Sequence, residues 1–114
     1  MESLTKNYEF KRLYNKGKSA ASKYVVVYCA RNKSAINRYG ITVSTKLGGA
    51  VHRNRIRRRL KEIYRLNEQF LRKGYNIVLV ARLGSLNAKW KDLESSVLQL
   101  FKKLGLEQSD GSVI

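Results

Sequence analysis

The chain has 114 residues, the size of one domain, and 43% of them are hydrophobic, so a single core that closes without metal or disulfide is expected. Its 24 lysines and arginines against 8 acids give a net charge of +16, an excess that repels itself and is expected only where a polyanion compensates. A disulfide framework, a secretory signal and a membrane span are not expected: Cys29 is the one cysteine, residues 1–6 hold no apolar stretch, and no run approaches the roughly 18 apolar residues of a span.

A reducing, cytoplasmic setting follows from that cysteine usage, with Cys29 as a small buried hydrophobe. In chain order, a first helix is predicted from Asn7, a candidate cap, to Gly17, with Phe10, Leu13 and Tyr14 on one face. The run Tyr24-Val25-Val26-Val27-Tyr28-Cys29-Ala30 is β-branched and aromatic, which predicts a strand over residues 23–31 that is apolar on both faces. Period two places Tyr24, Val26, Tyr28 and Ala30 on one side and Val25, Val27 and Cys29 on the other. After a polar turn, Tyr39-Gly40-Ile41-Thr42-Val43-Ser44 alternates, which predicts an antiparallel partner for that strand with Ile41 and Val43 inward.

A long helix is predicted over residues 50–73, since Ile56, Leu60, Ile63, Asn67 and Phe70 share one sector and Gly74 follows as a stop. Residues 75–82 form another apolar strand. Residues 89–104 form a second amphipathic helix with Trp90, Leu93, Val97, Leu100 and Leu104 as its stripe, ended by Gly105. The whole chain reads as one domain, 1–114, with a frayed tail over about 106–114. Strand, helix, strand in the middle implies a crossover and a mixed sheet with helices on it, right-handed by default.

Charge is concentrated at the start of the long helix, in His52-Arg53-Asn54-Arg55-Ile56-Arg57-Arg58-Arg59-Leu60-Lys61. A helix start already carries about half a positive charge, so each exposed cation in the first turn costs about 0.3–1 kcal/mol. Arg53 with Arg57, and Arg55 with Arg59, add like-charge pairs one turn apart, and no acid follows until Glu62. The cost changes sign if phosphates supply the missing negative charge, because free amides at a helix start bind phosphate and guanidinium forks chelate its oxygens. Asn54, Arg58, Lys61 and Arg65 fall on one outward stripe, so nucleic-acid binding through this helix is expected.

At these residues the sequence resembles the protein subunit of bacterial ribonuclease P. The signature strand is present as Gly40-Ile41-Thr42-Val43-Ser44, the turn as Lys46-Leu47-Gly48-Gly49-Ala50-Val51, and the helix start as Arg53-Asn54-Arg55 followed by Arg57-Arg58. The opening Phe10-x-x-x-Tyr14-x-x-Gly17 and the strand ending Ala81-Arg82 extend the likeness over nearly the whole domain. Thr45 stands where a second lysine is frequent, and Leu83 where proline is common.

The resemblance implies an α+β sandwich: a mixed four-stranded sheet with three helices in the order α-β-β-β-α-β-α, like the second domain of ribosomal protein S5. It also implies a left-handed βαβ crossover, against the default. It implies a partner, the catalytic ribonuclease P RNA, and a substrate, precursor tRNA, whose 5′ leader the holoenzyme removes with magnesium ions held by RNA. The protein is then expected to be monomeric in that particle, away from membranes, with no catalytic residue, metal or cofactor of its own. Lys46, His52, Arg53, Asn54, Arg55, Arg57, Arg58, Lys61 and Arg65 are the residues expected on the catalytic RNA, and Phe10, Lys11, Tyr14, Val26, Tyr28 and Arg82 those expected on the leader. Independently, the eight acids form no metal-binding motif, which disfavours an autonomous two-metal nuclease. A structural RNA-binding protein of the ribosome would share the charge and the arginine helix without the leader groove. A helix-turn-helix DNA binder would need a short recognition helix after a tight turn, where here a strand precedes a long helix.

Overall fold

A computed structural model describes residues 1–108. Three helices, α1 (Asn7–Lys16), α2 (Ala50–Asn67) and α3 (Trp90–Lys103), lie on one mixed sheet of β1 (Glu2–Ser3), β2 (Lys18–Ala21), β3 (Val25–Arg31), β4 (Arg38–Thr42) and β5 (Tyr75–Ala81). The four longer strands and the helices follow the predicted order. The two-residue β1 adds a fifth strand, parallel to β4, at the sheet's edge.

Strand order is β1-β4-β5-β3-β2, which corrects the expected pairing of β3 with β4. β5 lies between them, antiparallel to β3 and parallel to β4, and the hairpin partner of β3 is β2. The reason is burial. Ile77, Val78 and Leu79 are buried on both faces of β5, and only a central strand covered from both sides satisfies that run. Without large apolar side chains, Lys18-Ser19-Ala20-Ala21 is confined to the edge as β2, where no apolar period marks it.

The two faces hold separate clusters. Val25, Val27 and Cys29 of β3 join Ile77 and Leu79 of β5 under α2 and α3, with Ile41 and Val43 packed there as predicted. On the other face Leu13 of α1 is buried with Leu4 and Val78, against Phe10, Tyr28, Ala30 and Val80. Tyr24, one residue before β3, leaves the predicted face and packs on the main core.

α2 stops at Asn67, short of the predicted 73, and a single tight turn over Glu68–Phe70 follows. The Asn67 side-chain amide donates to the Ile63 carbonyl at 2.8 Å, and the Tyr64 hydroxyl donates to Glu68 at 2.8 Å. Burial, reinforced by that carboxylate, raises the Tyr64 pKa, so the phenol stays a donor. The buried face is therefore Ile56, Leu60, Ile63 and Tyr64, while Phe70 is 58% exposed. Full burial of such side chains contributes about 1.5–3 kcal/mol each, which outweighs the cost of the cations at the helix start. In α3 Leu93, Val97 and Leu100 are buried as predicted, joined by Phe101. Residues 106–108 of the expected tail are held to the fold: Leu106 is buried, and the Gln108 side-chain amide donates to the Leu71 carbonyl at 2.8 Å. The remainder of that tail, residues 109–114, lies outside the described residues.

α1 is capped at Lys6, one residue before the predicted Asn7. The Glu9 carboxylate accepts from the Lys6 and Thr5 amides and pairs with Arg38 of β4, fastening the helix to the sheet. Burial by itself would raise the Glu9 pKa, but these amides and Arg38 hold it below the ordinary carboxylate value. A depressed folded pKa gives stability that is present above the unfolded value and lost as pH falls through the folded one. Thermal unfolding of Glu9→Gln is expected to show a loss of about 1 kcal/mol at neutral pH, low for a charge-assisted bond because Arg38 keeps solvent contact. The difference from the parent should vanish on acidification through the folded Glu9 value; a constant gap across that window would reject the assignment.

Candidate nucleic-acid interface

The start of α2 is built by the turn that precedes it. Ser44 caps that turn by accepting from the Lys46 amide at 3.1 Å, Leu47 is buried, and Gly48 follows with φ of 121°, a backbone conformation that side chains with a Cβ rarely adopt. Gly49 is the helix cap and has no side chain to bond the first-turn amides. No atom outside the local backbone lies within 4 Å of where its Cβ would be among the described residues, so the chain is uncovered at this cap.

The basic residues predicted around this opening divide into two groups. Arg53 Nε donates to the Gly48 carbonyl at 3.1 Å, Arg57 Nη1 to Asn54 Oδ1 at 3.1 Å, and Arg65 forms a two-pronged pair with Glu62 at 2.7 Å for each bond. Glu62 raises the Arg65 pKa through its hydrogen bond and charge. Lys46, His52, Arg55, Arg58 and Lys61 are exposed and make no side-chain hydrogen bond among the described residues. Arg59, next to this set, has a structural role: it reaches the Ala88 carbonyl at 2.7 Å and ties α2 to the segment before α3. Burial, and after it the neighbouring Arg55, pushes its pKa down.

The second set of predicted residues meets on the opposite face of the sheet. Registers place Tyr28, Val78 and Gly40 in one cross-strand row, and Val26, Val80 and Thr42 in the next. α1 lies over the first row. A Cβ on Gly40 would sit 2.5 Å from Phe10 Cε1, so the absence of a side chain at 40 is what lets the Phe10 ring lie against the sheet. The second row is only partly buried, beside the aromatic flank of α1. There the Tyr14 and Tyr28 rings meet edge to face at 4.9 Å, and the Tyr14 hydroxyl is 2.9 Å from Thr42 Oγ1.

This groove brings Phe10, Tyr14, Val26 and Tyr28 together. Tyr14 is 38% exposed and lies outside the α1 core cluster. Lys11 is exposed on α1 one turn from Tyr14. Arg82, two residues after Val80, is exposed and donates to the Ser22 carbonyl at 3.0 Å. Sequence reasoning missed Thr42 and Val80, which became visible only through strand register, and missed Gly40 as the support of Phe10. Residues 43–49 are all that separates Thr42 in the groove from the start of α2. Among the described residues no three histidine, cysteine or acidic side chains converge on a metal position, and no helix is long and apolar enough to cross a membrane.

The family model described as ribonuclease P matches residues 1–105. The ribonuclease P protein component of Clostridioides difficile is 46% identical over 103 residues, 90% of each chain, and that of Clostridium botulinum strain Langeland is 43% identical over 90% of this chain and 94% of that one. Among solved structures, the Staphylococcus aureus ribonuclease P protein is 31% identical with a TM-score of 0.86, covering 95% of this chain and 99% of that chain. The Thermotoga maritima ribonuclease P protein is 30% identical with a TM-score of 0.82, covering 90% and 97%.

Proposed function

The chain belongs to the ribonuclease P protein family, the RNA-binding subunits of a tRNA-processing endoribonuclease, and on that premise we propose how it divides its contacts between two RNAs. The start of α2 grips the phosphates of the catalytic RNA through Arg55, Arg58, Lys61, Lys46 and His52, beside first-turn amides that no cap side chain bonds. Arg53, Asn54, Arg57 and Arg65 shape that surface through their internal bonds and add charge to it.

The groove beside α1 holds the single-stranded 5′ leader of precursor tRNA. The observation that carries this reading is the partly open Val26–Val80–Thr42 row walled by Tyr14 and Tyr28, with Phe10 seated on the adjoining row. Aromatic faces accept any base, so a leader of variable sequence is held by stacking, with Lys11 and Arg82 near its phosphates. Because the connection between groove and α2 is short, one subunit positions leader and catalytic RNA together.

In this reading the protein acts as a monomer in the cytoplasm and holds no cofactor. Magnesium belongs to the RNA, and no step of the chemistry runs through a side chain of this chain. Adding the purified protein to a ribonuclease P RNA at low magnesium is expected to restore cleavage of precursor tRNA at the mature 5′ end. Cleavage by the protein without RNA, or no restoration with it, would overturn the reading.

A further inference from the structure

α1 has a second flank. On the side away from the groove, Tyr8, Glu9, Arg12 and Lys16 overlook the next cross-strand row, Ala30–Asn76–Arg38, and the loop that follows β3. Together they enclose a cleft of about 510 Å³.

Its walls are strongly cationic. Arg12, Lys16, Arg31 and Lys33 all line it, all are exposed, and none has an acidic partner among the described residues. The one acid present, Glu9, is occupied by Arg38 and by the Thr5 and Lys6 amides, so it does not neutralise them. Asn76 accepts from the Asn32 amide at 3.0 Å, which leaves its own amide nitrogen without a protein acceptor among the described residues. Tyr8 is 64% exposed. Four exposed cations around one cleft, with an amide donor among them, suit an anion, and an exposed aromatic ring beside them offers a face to a base.

We propose that this cleft is a second RNA-binding site, which takes consecutive phosphodiesters of a single-stranded segment between Arg12, Lys16, Arg31 and Lys33 while an adjacent base stacks on Tyr8. Two RNAs supply such a segment: the upstream part of the leader, after it rounds a helix only about 10 Å across, or an unpaired stretch of the catalytic RNA. The site stands on its own lining residues; only the leader as occupant rests on the groove of Phe10 and Tyr28 proposed above.

The test uses the full chain with two paired substitutions, Arg12→Gln with Arg31→Gln and Lys16→Gln with Lys33→Gln. Because Arg31 also lies over the Tyr75 ring, the lysine pair guards against a fold effect, and unchanged thermal midpoints establish folding. Three affinities are measured across a salt series: protein for catalytic RNA, and holoenzyme for precursors whose leaders either end inside the groove or run well beyond it. Each pair is expected to weaken one of these by roughly 5- to 50-fold and to lower the salt slope by about one to two. A loss confined to the long leader identifies the upstream leader as the occupant, and a loss in assembly identifies the catalytic RNA. Tyr8→Ala should weaken the same RNA without changing the slope. Unchanged affinity and slope in all three measurements, with either pair, would overturn the proposal.

Discussion

Replacing Arg55, Arg58 and Lys61 together by glutamine is expected to weaken assembly with ribonuclease P RNA by roughly a hundredfold and to lower the salt slope by about two to three. These three are chosen over Arg53, Arg57 and Arg65 because they spend no side-chain hydrogen bond among the described residues. The free protein supplies the control that separates this from damage. Removing Arg55 relieves its repulsion of Arg59, and all three side chains are exposed, so the variant should be at least as stable as the parent. Weaker assembly with an equal or higher thermal midpoint supports the assignment. Intact assembly, or a destabilised free protein, counts against it.

The second large effect lies in the groove. Phe10→Ala and Tyr28→Ala are each expected to weaken holoenzyme binding of leader-bearing precursor by about 5- to 150-fold, the range for one stacked base, with little effect on mature tRNA. Both rings are half-buried against the α1 face, so some stability is lost as well, and two further variants isolate the contact. Tyr14→Ala removes a ring that is outside that core cluster and should produce the same preference at lower cost in stability. Gly40→Ala removes nothing. Its new methyl would lie 2.5 Å from Phe10 Cε1, so the ring must move from its seat, and leader discrimination should fall while every aromatic is kept. Equal losses for precursor and mature tRNA across this set would exclude the groove as the leader site.

The arginine helix was legible because its signal is local. Cations at a helix start conflict with the peptide dipole whatever surrounds the helix, and Arg55 still acts on Arg59 in the folded chain. Which of those cations are available to RNA was not legible. Arg53 and Gly48, Arg57 and Asn54, or Arg65 and Glu62 are near in sequence, but their bonds depend on rotamers that only the assembled helix and its preceding turn select. Arg59 is the clearest instance, diverted from the binding surface by a carbonyl 29 residues away.

Helices and strands were located from their own spacing, and the errors fall where a distant neighbour intervened. The end of α2 was misplaced by a few residues because Phe70 continued the apolar period, while bonds from Asn67 and Tyr64 close the helix first. The cleft at Arg12, Lys16, Arg31 and Lys33 had no sequence signature, since it joins a helix flank to a loop through Asn76 of a third element.

By itself the amino-acid sequence determined the element types, the apolar faces, the positive helix start and the aromatic residues of α1 and β3, all of which follow from periodicity and charge over a few turns of chain. Only the tertiary structure decided that β5 separates β3 from β4, that Val26, Val80 and Thr42 share a row, and that α1 leaves a groove on one flank and a cationic cleft on the other. The physical reason is that strand neighbours are selected by burial on both faces of the sheet, a property of the whole chain that no local window contains.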